Sequence, residues 1–343
     1  MLGRELVKRG LDVTIVTPRR AASAASPPVI DGVRIREFNA MNPFAAIDIY
    51  RECEADIYHS QDPWLGTWLA MRARPGCSHI ITFRDPRAGD DWKIETDYSG
   101  QPRLKFLLYR LSTDNVFVER AVRRADCLRV AAGFLGRKVK HKYGLNSVPA
   151  FLPTPVDVPV TVSKSDRPTV CFVGRFDPRK RPELFFRLAR EFPGVRFIAI
   201  GESTDPKRNA MLQQIARGIP NLELTGAVDQ FRSDVVSHVL AKSWVIVNTS
   251  AREGLPTTFV EAAAHRCAIL SFTDPDGFAS RFGFHAGEAE LAPGLDFLLK
   301  NDRWRDLGQR AYAHVAPLFG TRHAIDAHLT LYEAAHQRRH THA

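Results

Sequence analysis

No run of apolar residues in this 343-residue chain comes near the ~18 that a bilayer-spanning helix requires. The best candidate, around Ser243–Val247, is far shorter. The opening residues, Met1-Leu-Gly-Arg-Glu-Leu-Val-Lys8, are amphipathic and have no apolar centre, so they read as a helix and not as a secretory signal. Cysteine is scarce: Cys53, Cys77, Cys127, Cys171 and Cys267 are odd in number and never spaced as Cys-x-x-Cys. That argues against a disulfide framework and against a thiolate zinc site, and the expected setting is a reducing cytoplasm. Two nucleotide-binding signatures are missing as well. No Gly-x-Gly-x-x-Gly follows a strand pattern and no Gly-x-x-x-x-Gly-Lys-[Ser/Thr] occurs, which leaves a nicotinamide dehydrogenase unsupported and removes the P-loop enzymes.

What is present is close to the globular average, with 44% hydrophobic and 25% charged residues. The length suggests two domains. A net charge of +10 asks for an anionic partner, and the densest basic run is Arg137-Lys-Val-Lys-His-Lys142. Without interleaved stacking aromatics this run does not read as a nucleic-acid site. It is a solvated helix face or a contact with a membrane surface, which adds a peripheral position at the inner membrane face to the cytoplasmic expectation.

Strand and helix patterns alternate. Leu2–Arg9 reads as a helix, then Asp12–Thr17 and Val33–Phe38 as strands, with buried strands at Ala55–His59 and Ile80–Phe83 around a helix at Trp64–Arg72. One long helical stretch is expected from about Arg103 to Arg124, followed by a strand at Cys127–Val130 and a helix at Phe134–Tyr143. Four prolines between Phe151 and Pro168 mark a linker. Alternation then restarts at Thr169–Val173 and runs through Val195–Ile200, Leu222–Thr225, Trp244–Asn248 and Cys267–Ser271. The fold class is α/β: two doubly wound, Rossmann-like domains facing across a cleft, over 1–152 and 169–321, with a last helix at 322–338 returning to the first. The first domain opens with a helix, so the expectation is that it lacks the strand and glycine turn that usually lead such a domain.

Two segments carry the chemistry. Val173-Gly174-Arg175-Phe-Asp-Pro-Arg179-Lys180-Arg181-Pro182 leaves a buried strand through a glycine and enters a helix, with four cations in seven residues. A helix N-terminus and clustered Arg and Lys suit a diphosphate. Arg252-Glu253-Gly254-Leu255-Pro256-Thr257-Thr258-Phe-Val-Glu261 pairs a freed backbone and a helix start with two carboxylates about two turns apart, which can accept hydrogen bonds from different parts of one long ligand. Asp274-Pro-Asp276 has the spelling of a metal-binding Asp-x-Asp but reads as a turn capping the next helix.

Together these segments resemble the retaining glycosyltransferases of family 4, with the GT-B fold. The resemblance extends to Arg9-Gly-Leu-Asp-Val-Thr-Ile-Val-Thr17, Ala55-Asp-Ile-Tyr-His59 and Pro153-Thr-Pro-Val-Asp157. It implies that Gly174, Arg175 and Lys180 hold the donor diphosphate and Glu261 the ribose. Glu253 and the backbone of Gly254, Leu255, Pro256 and Thr257 would contact the donor sugar, with Gly226 bordering the base. The implied donor is a UDP- or GDP-linked sugar, used as a substrate with no cofactor and no metal, and the implied acceptor is a glycan, a lipid or a small molecule. Two departures stand out: the opening glycine loop is not found, and Arg84-Asp85 stands where many members carry a histidine. Arg175, Lys180, Glu253 and Arg84 are the candidate catalytic residues, and His59, Asp62 and Asp85 the acceptor-side candidates. A nucleotide-sugar epimerase of the same fold and a non-catalytic nucleotide-sugar-binding protein are the alternatives.

Overall fold

The computed structural model describes residues 1–19, 28–98, 103–229 and 232–341. The chain divides into two compact units, one of 1–86, 101–155 and 321–343 and the other of 87–100 and 156–320.

In the first unit β1 (Thr14–Arg19) pairs parallel with β3 (Val33–Asn39), and the short β2 (Val29–Ile30) runs antiparallel along the far side of β3. A second, wholly parallel sheet has the order β4 (Ile57–Gln61), β5 (Ser78–Phe83), β6 (Cys127–Val130), β7 (Ala150–Phe151). Every residue of β5 is buried, as expected of a strand covered on both faces. Its helices are α1 (Leu2–Lys8), α2 (Ala46–Glu52) and α3 (Leu65–Ala73), then α5 (Arg103–Thr113), α6 (Val116–Arg124), α7 (Gly133–Tyr143) and α15 (Thr321–Thr341). One apolar cluster joins Leu6 and Ile80 to Ile325, Leu331 and Tyr332 of α15. Another packs Phe38 and Tyr50 around Leu69. The single helix expected over 103–124 is two: the Asn115 side chain accepts from the N–H groups of Phe117 (2.9 Å) and Val118 (3.0 Å), a cap that ends α5 and starts α6.

The second unit holds one six-stranded parallel sheet in the order β10 (Leu222–Gly226), β9 (Arg196–Ile200), β8 (Thr169–Val173), β11 (Val245–Asn248), β12 (Ala268–Ser271), β13 (Gly283–His285). Numbered within the unit this is 3-2-1-4-5-6, the doubly wound order. Around it lie α8 (Pro182–Glu191), α9 (Pro206–Arg217), α10 (Val235–Lys242), α11 (Thr257–Ala264), α12 (Phe278–Phe282), α13 (Leu291–Leu299) and α14 (Arg303–Phe319). Phe172, Phe185, Phe197 and Trp304 fill the core on one face and Phe259, Phe278 and Phe282 that on the other. One helix here was not expected from the sequence: α4 (Gly89–Tyr98), whose residues the sequence reading assigns to the first domain, groups with this unit.

The seating of α14 depends on a missing side chain. A Cβ on Gly308 would lie 2.2 Å from the Arg266 carbonyl oxygen, a backbone atom with no freedom to swing away. Gly308→Ala should therefore cost about 1–3 kcal/mol, as overpacking does. Gly194, with nothing within 4 Å of its would-be Cβ, is the control. Urea denaturation should show a lowered midpoint for Gly308→Ala and an unchanged one for Gly194→Ala.

Candidate active site

Strand order decides where the two sequence segments meet. β8 and β11 are neighbours at the point where the winding of the second unit's sheet reverses, with Val170 opposite Val245 and Cys171 opposite Ile246. At such a point the connections leave toward opposite faces and open a crevice beyond the carboxyl ends of the strands. The turn after β8 carries Gly174–Arg181 and the loop after β11 carries Thr249–Pro256, so residues about 75 apart in sequence share that edge.

Backbone bonds stitch the two loops together. Ala251 N–H donates to the Arg179 carbonyl (3.0 Å), and the Thr249 hydroxyl donates toward the carbonyls of Lys180 (2.7 Å) and Arg181 (2.9 Å). Arg181 Nε returns a bond to the Thr249 carbonyl (2.7 Å), and its guanidinium lies 4.8 Å from the Phe272 ring centre. Arg181 sits at φ 48°, a left-handed conformation that any residue with a Cβ adopts at a cost, and these bonds hold it there.

The charged side chains interlock on this frame. Lys180 Nζ donates to Glu253 Oε1, the same oxygen that Asn248 Nδ2 approaches at 3.4 Å. Arg179 donates to the Arg252 carbonyl and lies 3.9 Å from Glu253 Oε2. Arg252 is only 4% exposed, and its guanidinium pairs with Asp91 Oδ1 (2.8 Å) and Glu95 Oε1 (3.0 Å), both from α4. Glu95 also takes contacts from Arg87 (3.4 Å) and Arg179 (3.7 Å). Lys180 and Glu253, given separate roles by the sequence, are thus a bonded pair. Arg175 is not part of the network: its side chain is 62% exposed and pairs with Asp177 at 2.9 Å.

Three adjacent strand ends carry glycine, each at a positive φ. Gly174 N–H donates to the Ile200 carbonyl, and Gly201 N–H to the Gly226 carbonyl. A Cβ on Gly201, at φ 142°, would lie 1.9 Å from the Gly174 carbonyl oxygen. At Gly201 the neighbouring turn leaves no room for a side chain, whereas nothing crowds the Cβ position of Gly226. Beside them the buried hydroxyls of Thr225 and Ser250 have no hydrogen-bond partner among the described residues. Pro256 directly precedes α11, so the first amides of that helix, beginning at Thr257, face outward from its N-terminus. Glu261 lies farther along α11. Burial, and then the nearby Asp157, push its carboxyl up to about 7.

The remaining candidates belong to the first unit. His59 lies in the middle of β4 with its Nδ1 2.8 Å from the Tyr332 hydroxyl and its Nε2 2.7 Å from the Thr82 hydroxyl, so both ring nitrogens are engaged. Asp62, at φ 64°, accepts from the N–H groups of Arg84 (2.7 Å) and Asp85 (3.2 Å), while Arg84 Nη1 donates to Gln61 (3.3 Å). Burial raises the Asp62 carboxyl and lowers the Arg84 guanidinium from their ordinary values. Asp62 therefore shapes the turn that carries Arg84. In the second unit, Asp274 accepts from Ala279 N–H (2.7 Å) and Ser280 N–H (3.1 Å), the helix-capping role expected of it.

Arg252, Asp91 and Glu95 are the site residues to which the sequence gives no role. Arg179 counts there only as one of the four clustered cations suited to a diphosphate, and Arg252 opens the second segment without a function. Asp91 and Glu95 carried one usable signal, their spacing of four on a single helix face.

Comparison with known proteins agrees with the geometry. A family model described as Glycosyltransferase Family 4 matches residues 1–159 and one described as Glycosyl transferases group 1 matches 167–300. The chain is a glycosyltransferase with two Rossmann-like domains of the GT-B class. It belongs to the family-4, group-1 lineage that these two models define. Among solved structures it is similar to sucrose-phosphate synthase from Thermosynechococcus elongatus, with a TM-score of 0.73 at 16% identity over 97% of this chain and 91% of that one. A glycosyltransferase from Rickettsia africae matches with a TM-score of 0.68 at 13% identity over 97% and 93%. HepE of Anabaena, solved with UDP and glucose, matches with a TM-score of 0.66 at 12% identity over 89% and 86%. No curated protein matches in sequence.

His59 and His328 give the first unit a distinctive acid response. Burial is the main cause of lowering for both, to about 3 for His59 and to about 4 for His328, whose Nε2 lies 3.2 Å from the Pro153 carbonyl. Above pH 6.5 both rings are neutral folded or unfolded. Below it the unfolded chain takes up protons that the folded one refuses, so stability falls as pH drops, by up to about 1.4 kcal/mol per histidine per pH unit. Urea midpoints measured from pH 6.5 down to pH 5 should decline, against the smaller and opposite contribution of the raised Glu261 carboxyl, and His328→Gln should give a shallower slope.

Proposed function

We propose that this glycosyltransferase takes its sugar from a UDP- or GDP-linked donor and passes it, with retention of configuration and without a required metal ion, to a hydroxyl of a glycan or lipid acceptor. The observation that carries the reading is the Lys180–Glu253 pair, held between two loops at the reversal point of the sheet. A diphosphate entering there offers Lys180 a stronger counter-charge than Glu253 does. Lys180 and the exposed Arg175 take the phosphates, and the outward amides of α11 add to them. Glu253, released from Lys180, accepts hydrogen bonds from the sugar hydroxyls, with the backbone of Gly254 to Thr257 alongside. Glu261 accepts from the ribose, and the turn at Gly226 borders the base.

Catalysis on this reading is positioning and charge stabilisation. The acceptor oxygen bonds to the anomeric carbon on the face from which the diphosphate departs. The leaving phosphate oxygen takes the acceptor's proton, which balances the exchange and retains configuration. Arg84 supports the departing phosphate, and Asp62 fixes the turn that carries it. His59, both of whose nitrogens are engaged, and Asp85 complete the acceptor side. HepE, which binds UDP and glucose on a similar fold, supports the choice of donor class.

Calorimetry with UDP, GDP and their glucose conjugates tests the donor assignment. Arg175→Ala and Lys180→Ala each remove a charge-assisted hydrogen bond worth about 1.5–3 kcal/mol, so each should weaken binding roughly 10- to 150-fold. Glu253→Gln should affect the sugar-bearing ligand far more than the bare diphosphate, while Glu261→Gln should affect both alike. Unchanged affinity in both cation variants sinks the phosphate assignment.

The raised carboxyl of Glu261 adds a proton count. Ribose hydroxyls donate best to the ionised form, so binding pulls the carboxyl down and expels a proton near pH 7. Affinity should therefore rise with pH up to and slightly beyond 7 and then level off. Calorimetry at pH 6.5 in two buffers of different ionisation enthalpy should detect proton release in the native chain and none in Glu261→Gln.

A further inference from the structure

Helix α5 carries Leu104, Leu107, Leu108 and Leu111 at the spacing i, i+3, i+4, i+7, the stripe that ordinarily turns toward a core. Here the four are 69, 50, 54 and 54% exposed. Past the Asn115 cap the stripe continues into Val116 and Phe117, also exposed. Six large exposed apolar side chains within fourteen residues mark a binding face.

Charge identifies what it binds. Residues 103–142 hold eleven Lys and Arg against three Asp and Glu, a surplus of eight in a chain whose whole surplus is ten. All three acids are engaged. Asp114 pairs with Lys142 at 3.1 Å, Glu119 with Arg123 at 2.8 Å, and Asp126 accepts from His79 N–H at 2.8 Å. The Asp114–Lys142 contact also sets the basic end of α7 beside the junction of α5 and α6, and Arg137, Lys140 and His141 there are exposed. None of the described helices is long and apolar enough to cross a membrane. A leucine stripe flanked by a dense cationic surface is instead the pattern of a helix lying in the headgroup boundary.

We propose that the α5–α6 face docks on an anionic lipid surface, its leucines entering the acyl boundary while the basic residues of α6 and α7 face the headgroups. A second copy of the chain is a poor occupant, because a two-fold contact would set this positive surface against itself. The proposal does not depend on the donor assignment, since none of its residues was placed in the donor or acceptor site.

Co-sedimentation of the full chain with vesicles tests it, using phosphatidylcholine alone and an equal mixture of phosphatidylcholine and phosphatidylglycerol. The native chain should bind the mixed vesicles at least about tenfold more tightly than the neutral ones, and less so as salt rises. Leu107→Ser with Leu108→Ser should weaken binding to the mixed vesicles by about tenfold. Arg137→Glu with Lys140→Glu should remove most of the preference for the anionic lipid. Circular dichroism and nucleoside-diphosphate binding should match the native chain in both variants, which separates this result from loss of fold or of the donor site. Absence of binding to the mixed vesicles, or undiminished binding by the leucine variant, overturns the proposal. So does a native dimer in light scattering that the leucine variant converts to monomer, which would assign the face to self-association.

Discussion

Arg252 is a guanidinium taken almost wholly out of water, and the site around it is arranged as such a charge demands. An unpaired buried cation is costly enough that the fold must supply partners or expel it. Asp91 and Glu95 meet it from α4, and through Glu95 the charge extends to Arg87 and Arg179. Arg179 then fixes the Arg252 carbonyl, and the residue after Arg252 is Glu253. The position of one carboxylate at the edge of the sheet thus follows from the neutralisation of its neighbour.

The same economy governs the pairing of Lys180 with Glu253. In the free protein Lys180 and Glu253 satisfy each other, so neither waits desolvated and unpaired for a ligand. On the proposed reading, a diphosphate sugar would supply both halves at once: phosphates for the cation and hydroxyls for the anion. A bare sugar or a bare phosphate would supply only one and strand the other group. Discrimination in favour of the intact donor would then be a property of the pair, more than of either residue.

Much of this was legible in the chain. β-branched runs alternating with amphipathic segments marked the strands of the second unit, and the glycine before the basic turn and the Gly-Leu-Pro-Thr-Thr helix entry marked both loops. Less was legible where partners are distant. Helix α4 has no counterpart in the strand and helix pattern of the sequence, because Pro86, Gly89 and its adjacent acids weaken the local signal. What holds it is a pairing with Arg252 about 160 residues away. The break at Asn115 escaped because apolar residues continue on both sides, although an Asn ahead of Val-Phe-Val is a usable cap signal. The leucines of α5 show the opposite limit: helical spacing reveals a stripe but is silent on whether anything covers it. The Lys180–Glu253 bond was likewise out of reach, since two segments can each be identified without fixing their register across a sheet.

The excursion of residues 87–100 bears on how such a protein can be recombined. The chain leaves its first unit at Pro86, contributes one helix to the second, and goes back before the main crossing at Pro155. A gene fragment cut at that crossing would encode the sheet, both loops and Arg252, but not the acids that neutralise it. The second unit is therefore not a free-standing cassette, although its strand order is that of a complete domain. A second unit made without residues 87–100 would leave Arg252 without those partners, so the two parts of the gene are bound to change together.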